Sequence, residues 1–248
     1  MPLLTTAKDQ GRREYMEDTH VYEALSNNTH FFGIFDGHGG AEVAEMCRDN
    51  FPKVIKQGLR DNASDPAVTI YNSFMLVDNL AAHMERVNAT GSTAVICLIY
   101  GSTVWFANAG DSMTMVAFDD GRVEMMSQEH KVENEKERIR EAGGVVTYGD
   151  GCARIFGTLN VSRSIGDHFM KKFVIATPFI RSISRDLYKI KYILMASDGI
   201  WDVFTATELY NALNNNSEMD IRDRLLQIIE LAKQKGSTDN ITITYCEL

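Results

Sequence analysis

The chain of 248 residues lacks the features that mark several large classes of protein. No window approaches the ~18 consecutive apolar residues of a membrane-spanning helix. The opening "MPLLTTAKDQGRREYMED" has no charged segment leading into an apolar core of the kind that directs secretion. Cysteine is scarce: residues 47, 97, 152 and 246 make no C-x-x-C pair. Cys97 and Cys246 sit in alternating apolar runs, where reduced core thiols are expected. Basic charge is short as well, with 25 Lys and Arg against 34 Asp and Glu and a net charge of -9; a nucleic-acid footprint needs the opposite balance. No repeat, low-complexity block or Pro/Ser-rich linker interrupts the chain, so residues 1–248 are expected to form one domain. The expectation is a monomeric, intracellular, cytoplasmic protein, with the nucleus as a second compartment, that engages neither nucleic acid nor membrane.

Several catalytic loops are missing too. No Cys is followed by Arg six positions on, which excludes a cysteine-nucleophile phosphatase loop, and no D-x-D-x-T/V segment serves an aspartyl-phosphate mechanism. There is no G-x-x-x-x-G-K-[ST] loop for nucleotide phosphates and no H-E-x-x-H pair for zinc.

What the chain does have is a succession of apolar runs bounded by Gly, Asn and Asp, the pattern of strands. They cover 29–35, 92–100, 102–109, 113–118, 191–197 and 240–246, with a further strand expected over 19–25. Only Gly101 separates the second run from the third, which predicts a hairpin. Helical spacing covers 41–59, 66–87, 133–144 and 220–237. Strand clusters broken by helices, without strict βαβ alternation, predict antiparallel sheets covered by helices. The expected fold class is therefore α+β, a β-sandwich with helices outside. The longest irregular stretch, "YGDGCARIFGTLNVSRSIGDHF" over 148–169, suits a flap above a site.

Aspartates punctuate these runs. Asp36 follows "FFGIF", Asp111 follows "FANAG", Asp198 follows "YILMAS", and Asp239 immediately precedes "NITITYC". Any one of them reads as a turn. In antiparallel neighbours the start of one strand lies beside the end of the next, so all four carboxylates can share one end of the sandwich. Carboxylates gathered without basic partners raise one another's pKa, and a cation is the natural way to hold them ionised; oxygen-only ligands select Mg²⁺ or Mn²⁺ over zinc. The segment "RREYMEDTH" reads either as a solvated charged loop or as an Arg that grips phosphate beside a further metal carboxylate.

Nine segments, "RREYMED", "FDGHGG", "GSTA", "NAGDS", "EHK", "KERIREAGG", "VSRSIGD", "ASDGIWDV" and "GSTDNIT", occur in the order and at about the separations found in the type 2C metal-dependent serine/threonine protein phosphatases. The chain resembles that family from Gln10 to Thr244. The resemblance implies a four-layer α-β-β-α sandwich with a small flap. It also implies hydrolysis of phosphoserine and phosphothreonine in proteins by a water or hydroxide bridging two metal ions. Asp36 then resembles the bridging carboxylate, with Glu17 and the Gly37 carbonyl on one ion and Asp198 and Asp239 on the other. Asp111, with Asp198, resembles a weaker third-ion site, and Asp18 a residue that orients the attacking water. Arg13 occupies the phosphate-gripping position with Arg12 as its neighbour, and His38 resembles the general acid for the leaving oxygen.

The chain departs from the family pattern at Met113, where an Arg commonly follows "GDS", and at Glu129 and Val132, where Asp and Pro are usual. A generic two-metal phosphohydrolase or nuclease is a rival from the chemistry alone. A catalytically weak or dead family member that binds and regulates phosphoproteins is another; Glu17, Asp36, Gly37, Asp198 and Asp239 all standing in place argues for the enzyme.

Overall fold

The computed structural model describes residues 2–61, 65–84, 89–149, 151–215 and 218–248. Along the chain, β1 (Leu3–Asp9), β2 (Asp18–Ser26) and β3 (Thr29–His38) precede two helices, α1 (Glu42–Asp61) and α2 (Pro66–Ala82). Then come β4 (Gly91–Ser92), β5 (Ala94–Tyr100), β6 (Thr103–Ala109), β7 (Met113–Phe118), β8 (Val123–Met125) and α3 (Lys136–Glu141). They are followed by β9 (Val146–Gly149), β10 (Cys152–Ile155), β11 (Ile165–Gly166), β12 (Phe179–Ser184) and β13 (Ile190–Ala196). The last elements are α4 (Asp198–Trp201), α5 (Ala206–Asn215), α6 (Ile221–Gln234) and β14 (Ile241–Glu247).

One sheet runs β1-β14-β13-β7-β8, and a second runs β11-β4-β3-β5-β6-β12 with β2 added beside β3. β9 and β10 form a separate hairpin. Every pair of these strands is antiparallel, as the strand pattern predicted.

Side-chain alternation on β3 shows how the layers stack. Phe31 and Phe35 join Phe51, Ile55, Ile70 and Phe74 of α1 and α2 in one core. Phe32 and Ile34 face the other way, into a core shared with Val116, Ile193 and Met195 of the β1-β14-β13-β7-β8 sheet. Beyond that sheet, Met115, Leu194, Ala196 and Ile243 pack with Leu209, Leu213, Leu225 and Ile228 of α5 and α6. Three cores separate four layers in the order α-β-β-α. β3 reads as an unbroken apolar run because both of its faces are covered, a pattern more usual in parallel sheets. Cys97 and Cys246 lie in the inter-sheet core as free thiols, and burial pushes the Cys246 thiol up to about 12.

Helix starts follow capping chemistry. Asp65 accepts from the backbone N–H of Ala67 (2.9 Å) and Val68 (3.3 Å), with Pro66 opening α2. Asp220 caps α6 through the N–H of Arg222 at 2.8 Å. The helix expected over 66–87 ends at Ala82, and residues 85–87 lie outside the described residues. α3 is shorter than its expected span because Ile139 alone is buried in it. The β5–β6 hairpin turns at Gly101, whose φ of +58 is the left-handed geometry such a turn needs.

Part of the stretch expected to be irregular is ordered. β10 pairs with β9, and Ala153 and Ile155 pack on Val132, Ile139 and Val174 in a small core under the flap. Sequence patterning predicts neither β1 nor α5. β1 buries only Ala7, and α5 is short, with Leu209 and Leu213 one turn apart on its buried face. Among the described residues no helix is long and apolar enough to cross a membrane.

Candidate metal and active site

The ends of both sheets meet at one edge of the sandwich. Asp36 is two residues from the end of β3, Asp111 follows β6 after Gly110, Asp198 opens α4 directly behind β13, and Asp239 stands just ahead of β14. Carboxylate oxygens of Asp36, Asp111 and Asp198 lie within 4.8 Å of one another. A cavity of about 290 Å³ opens there, and Arg13, Glu17, Gly37, His38 and Asp239 line it together with the three aspartates. Antiparallel pairing thus assembles what the sequence scatters over two hundred positions.

Electrostatics shows that this cluster suits a cation. Burial and the charges of Asp198, Asp18 and Asp111 push Asp36 well above the usual carboxylate range, and burial with Asp111 and Asp239 does the same to Asp198. Asp111 is pushed up to about 6, burial outweighing the pull of Lys131. Asp111 Oδ2 and Asp198 Oδ1 are buried with no hydrogen-bond partner among the described residues. Orphaned oxygens inside a mutually repelling carboxylate set are what a hard, oxygen-liganded divalent ion satisfies.

Glu17 and Asp239 line the cavity but fall outside the tight trio. Asp239 is already engaged: Oδ2 accepts from Arg13 Nη2 at 2.5 Å, and Oδ1 accepts from the N–H of Asn240 at 2.8 Å. Arg13 rides on the loop between β1 and β2, and Asn240 clamps that loop. Its Oδ1 accepts from the N–H of Glu17 at 2.7 Å, while Nδ2 donates to Gln10 O at 2.8 Å and Tyr15 O at 3.0 Å. Gly37 sits so close to this loop that a Cβ would strike the Glu17 carbonyl. Arg12 does not line the cavity; its N–H donates to Thr238 O.

Asp18 pairs in register with Asp36 but is buried behind it. Ser197 Oγ donates to its Oδ2 at 2.8 Å, and burial, opposed by that hydroxyl, raises its pKa to about 6. Ser197 Oγ in turn accepts from the N–H of Thr242 at 3.0 Å, which ties Asp18 to β14. Thr93 holds the Asp36 backbone from the other side, its N–H donating to Asp36 O at 2.9 Å.

His38 projects from the end of β3, and its Nε2 lies 2.8 Å from Asp167 Oδ2. Burial works against its imidazolium, but the hydrogen bond and charge of Asp167 win and raise its pKa. Asp167 is held low against burial by His38, Ser164 and Lys171. In the sequence "VSRSIGD" carries only the family resemblance, which assigns no role to Asp167.

Asp202 was also missed. It lies one helical turn after Asp198 in "SDGIWD", a spacing that puts both carboxylates on one side, and it adds to the repulsion raising Asp111 and Asp198. Its Oδ1 accepts from Lys131 Nζ at 2.6 Å, and Lys131 also pairs with Glu129 at 3.2 Å. Met113, where the family commonly has Arg, packs its side chain against the α5 and α6 core, and its carbonyl accepts from Trp201 Nε1 at 3.1 Å. Val132 is buried in the core under the flap.

The architecture and the acidic cavity define a four-layer sandwich with a candidate metal centre at one edge. Comparison with known proteins is specific beyond that. Residues 4–241 match the family profile described as Protein phosphatase 2C. The chain is 32% identical to "Protein phosphatase 1L" of Bos taurus over 257 residues, which cover 94% of this chain and 69% of that protein. It is 33% identical to "Probable protein phosphatase 2C 45" of Oryza sativa subsp. japonica, across 95% of this chain and 84% of that one. The fold is similar to the crystal structure of serine-threonine phosphatase 2C from Toxoplasma gondii, with a TM-score of 0.85 at 22% identity over 98% of this chain and 94% of that chain. It is also similar to a C. elegans sex determining protein, with a TM-score of 0.89 at 23% identity over 99% of this chain and 64% of that one. The chain belongs to the protein phosphatase 2C family and is a serine/threonine protein phosphatase.

Proposed function

We propose that residues 1–248 act as a single, monomeric catalytic domain that hydrolyses phosphoserine and phosphothreonine in proteins by direct attack of water on phosphorus, with no covalent phosphoenzyme. The observation that carries this reading is the close Asp36, Asp111 and Asp198 trio, in which Asp111 Oδ2 and Asp198 Oδ1 are orphaned, in a cavity that Arg13 and His38 also line. Asp36, with Glu17 and the Gly37 carbonyl, would hold one Mg²⁺ or Mn²⁺, and Asp36 with Asp198 and Asp239 a second. Asp111 and Asp198 would contribute to a weaker third. Bound there, such ions lower the pKa of the attacking water and carry charge on the phosphoryl oxygens.

The chain's own residues do the rest. Arg13 exchanges Asp239 for the phosphoryl oxygens, which its planar guanidinium can grip in pairs. Asp18, buried and fixed by Ser197, orients the water from behind Asp36. His38 gives a proton to the serine or threonine oxygen as the P–O bond breaks, because an alkoxide leaves poorly without one. Acidic overall charge counts against nucleic-acid substrates, and the partners are phosphoproteins met in the cytoplasm. The test is hydrolysis of a phosphothreonine peptide by the purified protein, with and without Mg²⁺ or Mn²⁺. Turnover that requires the ion is expected, and silence at saturating ion would overturn the reading.

A further inference from the structure

The contact between His38 and Asp167 constrains the chemistry more than a lone histidine would. Asp167 is fully buried, whereas the His38 side chain keeps 26% of its surface exposed and lines the cavity. Nothing among the described residues bonds His38 Nδ1, while Nε2 is taken by the carboxylate at 2.8 Å. The ring therefore has one nitrogen tied to the protein and one left for whatever enters the cavity.

The protein spends a good deal of local structure on this pair. Asp167 has a φ of +50, a left-handed conformation that Asp tolerates better than most residues. Its N–H donates to Thr90 O at 3.0 Å, and Ser164 Oγ donates to the same Oδ2 that meets His38. The segment on either side is pinned to α2: the N–H of Gly166 donates to Asp78 Oδ1 at 2.9 Å, and Lys171, paired with Asp78, donates to Ser164 O and Gly166 O. β4 presses against the pair so closely that a Cβ on Gly91 would collide with both Asp167 Oδ2 and His38 Nε2. Asp167 Oδ1 has no hydrogen-bond partner among the described residues.

We propose that Asp167 is a positioning residue for the phosphatase reaction: it holds the N–H of His38 Nε2, so that Nδ1 is the nitrogen presented to the leaving oxygen. The inference rests on His38 as the acid. As the P–O bond breaks, its electron pair stays on the serine or threonine oxygen, which takes the proton from Nδ1. The imidazolium becomes a neutral ring that keeps Nε2–H on Asp167, and Nδ1 regains a proton from solvent. A carboxylate on one ring nitrogen fixes both the tautomer and the orientation of the other.

The experiment compares wild type, Asp167→Asn, Asp167→Ala, His38→Gln and the double variant His38→Gln/Asp167→Ala on a phosphothreonine peptide and on p-nitrophenyl phosphate at saturating Mg²⁺. Asn also tolerates the left-handed backbone and keeps an acceptor for Nε2–H, so Asp167→Asn tests the charge in a folded protein. Asp167→Ala is expected to lower kcat on the peptide roughly 100-fold, the low end for general acid catalysis, with KM changing much less. Its loss on p-nitrophenyl phosphate, whose phenolate leaves readily, is expected to be far smaller, and Asp167→Asn should fall between Ala and wild type. In the His38→Gln background, Asp167→Ala should add no further loss. Nitrogen-15 spectra of the wild type with Mg²⁺ should show His38 protonated on Nε2 in its neutral form. Additive losses in the double variant, equal losses on both substrates for Asp167→Ala, or a neutral Nδ1–H tautomer would overturn the proposal while leaving His38 as the acid. Equal losses on both substrates for His38→Gln itself would remove the acid reading and this inference with it.

Discussion

Replacing Asn240 with Ala is expected to loosen the loop that carries Arg13 and Glu17. Asn240 is 4% exposed, and its amide makes three hydrogen bonds to that loop, accepting from Glu17 N–H and donating to Gln10 O and Tyr15 O. At about 1 kcal/mol for each buried bond, the substitution should cost about 3 kcal/mol, less whatever water recovers at the two carbonyls. Asn240→Asp keeps the acceptor for Glu17 and loses both donors, so it should cost about 2 kcal/mol from hydrogen bonds, with an added penalty for a carboxylate next to Asp239. Urea denaturation of the metal-free proteins measures these differences through the midpoint. The same loop positions Arg13, so KM for a phosphothreonine peptide should rise as its grip on the phosphoryl group loosens. A loss of stability below about 1 kcal/mol with an unchanged KM would refute the reasoning, because it would mean the loop holds its shape without the clamp.

Asp36→Asn should abolish phosphopeptide turnover and weaken Mg²⁺ binding measured by calorimetry, since Asp36 sits at the centre of the carboxylate cluster; retained turnover at high Mn²⁺ would mean it is not shared between ions. Glu135, which accepts from Arg163, Arg138 and Ser162 beneath the flap, is drawn down to about 2 from an ordinary 4.5 by these donors, against the effect of burial. A lowered carboxylate pKa stabilises the fold above its unfolded value, so this contribution, on the order of 3 kcal/mol, should be lost as pH falls from about 4.5 towards 2. Glu135→Gln should therefore be less stable than wild type at pH 7, with the gap closing in acid; a gap that stays constant with pH would contradict it. Phe51→Ala should cost about 3–5 kcal/mol in thermal or urea unfolding, because Phe51 is fully buried between Phe35 and Phe74, with ring centroids at 5.4 and 4.9 Å.

The amino-acid sequence made the interior strands of both sheets legible, because β3, β5, β6, β7, β13 and β14 are covered on both faces and so read as apolar or alternating runs between turn residues. It determined the shared edge as well: each of Asp36, Asp111, Asp198 and Asp239 marks the end or start of such a run, and antiparallel pairing brings those points together. β1 and β12 were not legible, since edge strands are held by backbone hydrogen bonds and bury few side chains, and α5 buries only Leu209 and Leu213, too thin an apolar stripe to stand out in the sequence. Which partner each functional side chain takes was settled by the packing of the two sheets and the flap. Arg13 meets Asp239 across 226 positions, Glu17 meets Asn240 across 223, and His38 meets Asp167 across 129. No local pattern encodes such pairs; they exist because two sheets and a flap loop fold their ends onto one cavity, where a buried donor is stable only beside an acceptor.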